Sequence, residues 1–233
     1  MLKENLENVL KRIQSTAIHC GRTPESVRLV AVTKTVPAHR IKVAIEAGAS
    51  IFGENYVQEA RDKILELSAC PVSWHFIGTL QSNKAKYVVK LFDLIHSVDS
   101  VKLAMEIDKQ AGKIEKIQDI LIQINVAGEA QKSGISPGQA LNMLKDISRF
   151  KNISVKGLMT MPPYFYEPER VRPFFKQLRE LSNRLKKELS DLSCTTHIRL
   201  DELSMGMTGD FEAAIEEGAT LVRIGTAIFG ERT

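Results

Sequence analysis

The sequence predicts an α/β fold, a single (β/α)8 TIM barrel with an extra N-terminal helix, and three observations carry that expectation. Short apolar or alternating segments recur eight times, amphipathic segments separate them, and the 233 residues approach the ~250 typical of one such barrel. The first apolar segment, Leu29-Val30-Ala31-Val32-Thr33-Lys34, runs into Thr35-Val36-Pro37. A doubly wound open sheet, the main alternative, would place a glycine-rich turn there. No Ser/Gly-rich linker or low-complexity tract interrupts the chain, so residues 1–233 read as one domain.

The elements follow in order. Leu2, Leu6, Val9, Leu10 and Ile13 fall on one face of a helix within the first twenty residues. Strands are expected near 28–34, 50–53, 74–78, 93–98, 118–125, 153–159, 198–203 and 220–224. Amphipathic segments lie near 38–47, 55–68, 82–90, 100–111, 137–149, 168–190 and 209–216. Gly48 and Gly218 each stand just past a helix and before a strand, as C-caps would. The segment 168–190 carries a basic side that includes Arg172, Lys176, Arg179 and Lys186. Interleaved Glu169, Glu180 and Glu188 make it an ordinary solvated face rather than an RNA-binding stripe.

Composition excludes several classes of function. The formal charge of +4 is modest and the two signs are interleaved, which gives no nucleic-acid or membrane signal. Cys20, Cys70 and Cys194 form no CxxC and cannot all pair, which suits a reducing compartment. Met1-Leu2-Lys3-Glu4-Asn5-Leu6-Glu7 lacks the apolar core of a secretory signal, and no apolar run approaches the ~20 residues of a membrane span. A soluble, cytoplasmic protein is expected.

The candidate chemistry begins at Lys34. By strand alternation it shares a face with Val30 and Val32, at the end of a strand buried on both sides. Such a lysine either snorkels to solvent or is held for its amine, because desolvation favours the neutral, nucleophilic form. In a closed barrel the site lies at the strand C-termini, and phosphate often binds after strands seven and eight. Ser204-Met205-Gly206-Met207-Thr208-Gly209-Asp210 and Gly225-Thr226 occupy those two loops with hydroxyls and glycines suited to an anion, although ordinary turns capped by Thr208 or Asp210 are the plainer reading. Arg223 takes the face opposite Val222 and Ile224. A guanidinium there needs an acceptor, either Asp201 or Glu202 or an atom of a ligand. Asn55 and His75 stand at the ends of the second and third strands. Asn55 is equally placed to cap a helix, and His75 to be a satisfied core histidine. Lys132, after the fifth strand, also lies on the functional rim. His75, His96 and His197 have no metal-ligand spacing, so no metal site is expected.

The ordered motifs Val32-Thr33-Lys34-Thr35, Gly53-Glu54-Asn55-Tyr56, Trp74-His75-Phe76-Ile77-Gly78, Gln81-Ser82-Asn83-Lys84, Lys132-Ser133-Gly134, Gly157-Leu158-Met159-Thr160-Met161, Leu203-Ser204-Met205-Gly206-Met207 and Arg223-Ile224-Gly225 span essentially the whole chain. In them the sequence resembles the pyridoxal phosphate homeostasis (YggS/PROSC) family, itself similar to the barrel domain of alanine racemase, the third fold type of pyridoxal-phosphate proteins. The resemblance implies that pyridoxal 5′-phosphate (PLP) is the cofactor and that Lys34 forms its internal aldimine. It implies that Ser204, Thr208, Gly225 and Thr226 hold the phosphate and that Arg223 faces the pyridine nitrogen; Asn55 and His75 are expected as further cofactor contacts from their strand-end positions alone. Thr208 stands where many members have Ser, which keeps the hydroxyl. Arg223 would keep the ring nitrogen unprotonated, making the ring a poorer electron sink and limiting carbanion chemistry.

Two functions are then open. A racemase needs a second acid/base opposite Lys34, which alanine racemases draw from an additional β-domain. This chain, ending at Thr233 just after its last strand, is expected to lack one, and none of Tyr56, Tyr87, Tyr164 and Tyr166 sits in a motif marking that base. The expectation is a non-enzymatic PLP-binding protein that buffers the cofactor or delivers it to apo-PLP enzymes. It is expected to act as a monomer, without nucleic-acid or membrane partners.

Overall fold

The structure is a computed structural model that describes residues 1–129, 131–190 and 197–231. Eight parallel strands close into a barrel in sequence order: β1 (Arg28–Val32), β2 (Ile51–Glu54), β3 (Ser73–Phe76), β4 (Leu94–Val98), β5 (Gln118–Gln123), β6 (Ile153–Met159), β7 (Ile198–Ser204) and β8 (Leu221–Ile224). Pairing of Arg28–Ala31 with Leu221–Ile224 joins first strand to last. All eight strands match the segments expected from sequence, within a few residues at each end.

The helices are α1 (Leu2–His19), α2 (Ala38–Glu46), α3 (Val57–Glu66), α4 (Ala85–Leu91), α5 (Val101–Gly112), α6 (Ala140–Ile147), α7 (Arg172–Ser190), α8 (Phe211–Glu216) and α9 (Thr226–Phe229). Strand alternation divides the core in two. Outward residues such as Ala31, Phe52, Phe76, Ile120, Val222 and Ile224 pack under the helices. Inside the barrel, Val30, Leu94, Leu121, Met159 and Leu221 form a separate small cluster.

α8 and α9 are too short to cover their side of the barrel, and α1 lies across both. Leu6, Val9, Ile13 and Ala17 are its buried stripe. Asn5 donates to the Ile228 carbonyl, and Arg22, just past the helix, donates to the carbonyls of Ile215 and Ala219 at 2.8 Å each. The basic side chains of α7 are drawn into ion pairs: Arg179 with Glu217, Lys186 with Asp201, and Arg172 with Glu169 and Glu216. Cys20 and Cys70 are free thiols, and Cys194 lies outside the described residues.

Among the strands that end earlier than drawn from sequence, two bear on the site. β1 stops at Val32, because Val36 N–H bonds back to the Thr33 carbonyl at 2.9 Å and Thr35 adopts φ +65°, ending extended structure. β3 stops at Phe76, leaving Ile77 and Gly78 in the loop above it. Both changes alter how deep a side chain sits in the barrel, which matters for the site.

Candidate functional site

Lys34 stands two residues past β1, half-buried, on the C-terminal rim of the barrel. A cleft of about 110 Å³ holds it together with Val32, Thr35, Arg40, Gly225 and Thr226. The expected sharing of one face is what the structure shows: Val30 lies in the interior cluster, Val32 in the cleft, and Lys34 above both.

The loops after β7 and β8 meet at the same rim. Gly206, at φ +90°, turns the chain where a Cβ would fall 2.6 Å from the Ala214 Cβ, so only glycine lets the loop pack on α8. The Asp210 carboxylate does not cap α8; it turns back to accept from Met207 N–H at 2.6 Å, which fixes the Met207–Asp210 loop. Thr226 Oγ1 then donates to Thr208 Oγ1 at 3.1 Å. The two hydroxyls expected to serve an anion are therefore adjacent, and one of them shares the lysine's cleft.

Arg223 is buried inside the barrel beneath this rim. Its Nη1 donates to Ser204 Oγ at 2.6 Å and its Nη2 to the Thr160 carbonyl at 2.9 Å. Neither acid considered from sequence is its partner. Glu202 pairs with Arg28, and Asp201 with Lys186. Burial pushes the guanidinium down to about 10, with Asp210 opposing the shift, and the group remains a cation at neutral pH.

The chain of polar groups continues inward. Ser204 Oγ lies 2.9 Å from His96 Nδ1, and His96 Nε2 lies 3.0 Å from His75 Nδ1. Arg223 can only donate, so Ser204 Oγ accepts from it, and the Ser204–His96 and His96–His75 contacts then run in one common direction, either inward or outward. In both directions each imidazole carries a single proton and is neutral. Burial drives His75 down to about 4 and His96 well below its usual range, which agrees with that assignment.

Two of the expected cofactor contacts sit deeper than the rim. Ser204 is fully buried, and its hydroxyl lies between Arg223 and His96. It belongs to the support of Arg223. His75 points into the barrel as alternation requires, but it lies level with Gly53 and Leu94 and lines a cavity at the N-terminal end with Arg28, Ser73 and Asp93. It is a core histidine tied to His96, one layer below the rim.

Asn55 behaves differently. It does not cap α3, whose first turn follows Tyr56, and its Oδ1 is buried without a hydrogen-bond partner. Asn55 lines a second rim cleft with Ile77, Gln123, Lys132 and Met161. Lys132, expected on this rim, pairs there with Glu129 at 3.0 Å. Sequence reasoning missed a third group, the buried Glu54–Lys63 pair behind Lys34; its signal was Glu59 and Lys63, four apart on a helix that follows the Glu54 strand end. Among the described residues no cluster of His, Cys, Asp and Glu suits a metal.

A family model described as the N-terminal domain of alanine racemase matches residues 4–233. The pyridoxal phosphate homeostasis protein of Aquifex aeolicus is 45% identical over 229 residues, covering 98% of this chain and 97% of its own. The structure of PipY from Synechococcus elongatus with PLP bound superimposes with a TM-score of 0.83 at 36% identity, covering 99% of this chain and 100% of that one. A Clostridium difficile alanine racemase, 13% identical with a TM-score of 0.70, shares the fold over 57% of its chain. The chain thus belongs to the alanine racemase N-terminal domain family, and within it to the pyridoxal phosphate homeostasis proteins.

Proposed function

We propose that the protein binds pyridoxal 5′-phosphate through a reversible Schiff base on Lys34 and works in intracellular PLP homeostasis, by buffering the cofactor or delivering it to apo-PLP enzymes. When bound, the cofactor supplies an aldehyde that condenses reversibly with an amine, and a phosphate and a ring nitrogen that the protein can recognise. The observation that carries the reading is one cleft that holds both the Lys34 amine and the Gly225–Thr226 turn, with Thr208 alongside.

The residues present fit the group. The Thr208 and Thr226 hydroxyls and the backbone at Gly225 suit the phosphate. Arg223, a fixed cation, would face the ring nitrogen and keep it unprotonated, because two adjacent buried cations repel. The buried, partnerless Oδ1 of Asn55 is an acceptor awaiting a donor at the same rim. Binding and release, rather than turnover, follow from the surroundings of Lys34. A two-base racemase needs a second proton-transfer group facing the lysine, whereas all four tyrosines are exposed and none lines its cleft. The reading extends to a single-domain monomer acting in the cytoplasm.

Titration with PLP should give the visible absorption of a Schiff base, lost in Lys34→Ala. Borohydride reduction followed by peptide mapping checks the attachment point. A reduced adduct on any other peptide would sink the assignment. Sustained change in the chirality of L-alanine or another amino acid by the loaded protein would favour the racemase instead.

A further inference from the structure

The two peptide groups that flank Lys34 are each gripped by a charged side chain from α3. Lys63 Nζ donates to the Thr33 carbonyl at 2.6 Å, just before Lys34. Glu59 Oε1 accepts from the Thr35 N–H at 2.5 Å, just after it. Lys63 and Glu59 are themselves paired at 2.5 Å, one helical turn apart. The third member is Glu54, wholly buried at the end of β2, whose Oε1 accepts from Lys63 at 2.7 Å and from the Thr33 hydroxyl at 2.7 Å.

The cluster is an expensive way to fill space. An ammonium and a carboxylate in the layer between the barrel and α3 lose their hydration, and an apolar pair of similar volume would ordinarily serve stability as well or better. Glu54 Oε2 has no partner at all, and burial raises that carboxyl above its usual range. The cluster also sustains a backbone conformation that the sequence would not choose. Thr35 is β-branched and left-handed at φ +65°, and its N–H is held by a carboxylate. Strain kept in place by charged bonds on both sides of one lysine points to a demand on that lysine's position.

We infer that Lys63, Glu59 and Glu54 are positioning residues that clamp the Thr33–Lys34–Thr35 turn and so fix the direction from which the Lys34 amine meets its carbonyl partner. The inference rests on the proposed Schiff base. A lysine side chain has four rotatable carbons, so only its anchor can be made rigid, and a rigid anchor raises the fraction of time the amine spends in attacking geometry. Lys63 and Glu59 face away from the rim cleft and do not touch the ligand in this scheme.

The test compares unmodified protein with Glu59→Ala, with Glu59→Gln, and with the charge-neutral pair Lys63→Met plus Glu54→Gln. Without cofactor, amide exchange at Thr35 should accelerate in Glu59→Ala. With saturating PLP, the rate of Schiff-base absorbance growth should fall by about tenfold or more in Glu59→Ala and in the double variant, with partial rescue in Glu59→Gln, whose amide oxygen can still accept from Thr35. Non-covalent PLP affinity, read in a Lys34→Ala background, and melting temperature should move little in Glu59→Ala. A Schiff-base rate within twofold of the unmodified protein, in a variant whose Thr35 amide has loosened, would overturn the inference. So would a rate that falls only in step with the melting temperature. If the unmodified protein forms no Schiff base, the cofactor reading fails, and exchange at Thr35 still tests the clamp by itself.

Discussion

Ser204, the last residue of β7, and Thr208, four residues on in the loop that follows, do different work. Ser204 is enclosed, accepting from Arg223 and hydrogen-bonded to His96, so its removal leaves a buried guanidinium and a buried imidazole short of a partner. Thr208 sits at the surface of the rim, joined only to the Thr226 hydroxyl. Ser204→Ala should therefore lower the stability of the cofactor-free protein by roughly 1–3 kcal/mol, measured by urea unfolding. Thr208→Ala should leave that stability within about 0.5 kcal/mol and weaken PLP retention on dilution. If Ser204→Ala instead weakened phosphate-dependent binding with no loss of stability, its assignment to the support of Arg223 would be wrong. Arg223→Ala should do both: it removes the group proposed to face the ring and leaves Ser204 and the Thr160 carbonyl as buried acceptors short of a donor.

The rim is built where strands end, and a strand end is set by backbone contacts that leave little tolerance. A Cβ at Gly78 would lie 2.2 Å from the Asn55 carbonyl oxygen, a backbone atom that cannot swing aside. Gly78→Ala should displace the β2–α3 junction that carries Asn55, costing about 1–3 kcal/mol as overpacking and reducing PLP retention. Unchanged stability and retention in Gly78→Ala would show that the junction yields. This junction also illustrates what the sequence reveals and what it withholds. Period-2 alternation groups Lys34 with Val30 and Val32 and sets Arg223 opposite Val222 and Ile224, while His75 and Ser204 are placed by strand end and loop alone. It does not give height along the barrel axis, which depends on how far neighbouring strands are staggered. The sequence therefore does not tell that His75 and Ser204 both lie below the rim. The four-residue α9 is shorter than any helical period can register, and nothing in the amphipathic segment near 55–68 singles out Lys63. Its burial arises only when α3 docks over β1 and β2.

Across the whole barrel, one polar column runs through an otherwise apolar interior, from the cavity at the N-terminal end through His75, His96 and Ser204 to Arg223 under the rim. Barrel closure creates it, since its members come from β3, β4, β7 and β8. The column functions only while both imidazoles are neutral. Protonated His96 would be a second cation near Arg223, and protonated His75 would face Arg28, with only Asp93 favouring its charge. Burial lowers His75 from 6.5 to about 4 in the folded protein, so between those values the unfolded chain binds more protons. Stability is therefore fully present above about 6.5 and declines as the pH falls toward 4. At pH 5 the His75 contribution alone amounts to about 2 kcal/mol, or roughly 4–8 °C in melting temperature for a chain of this size, and His96 adds in the same direction. Burial raises the carboxyls of Glu54, Asp99 and Asp210, and these act with the opposite sign. A comparison with His75→Gln, which keeps all three carboxyls, isolates the imidazole. The variant should lose less melting temperature than the unmodified protein between pH 7 and pH 5. Parallel curves would mean that His75 is protonated without penalty, and that the column does not depend on its neutral form.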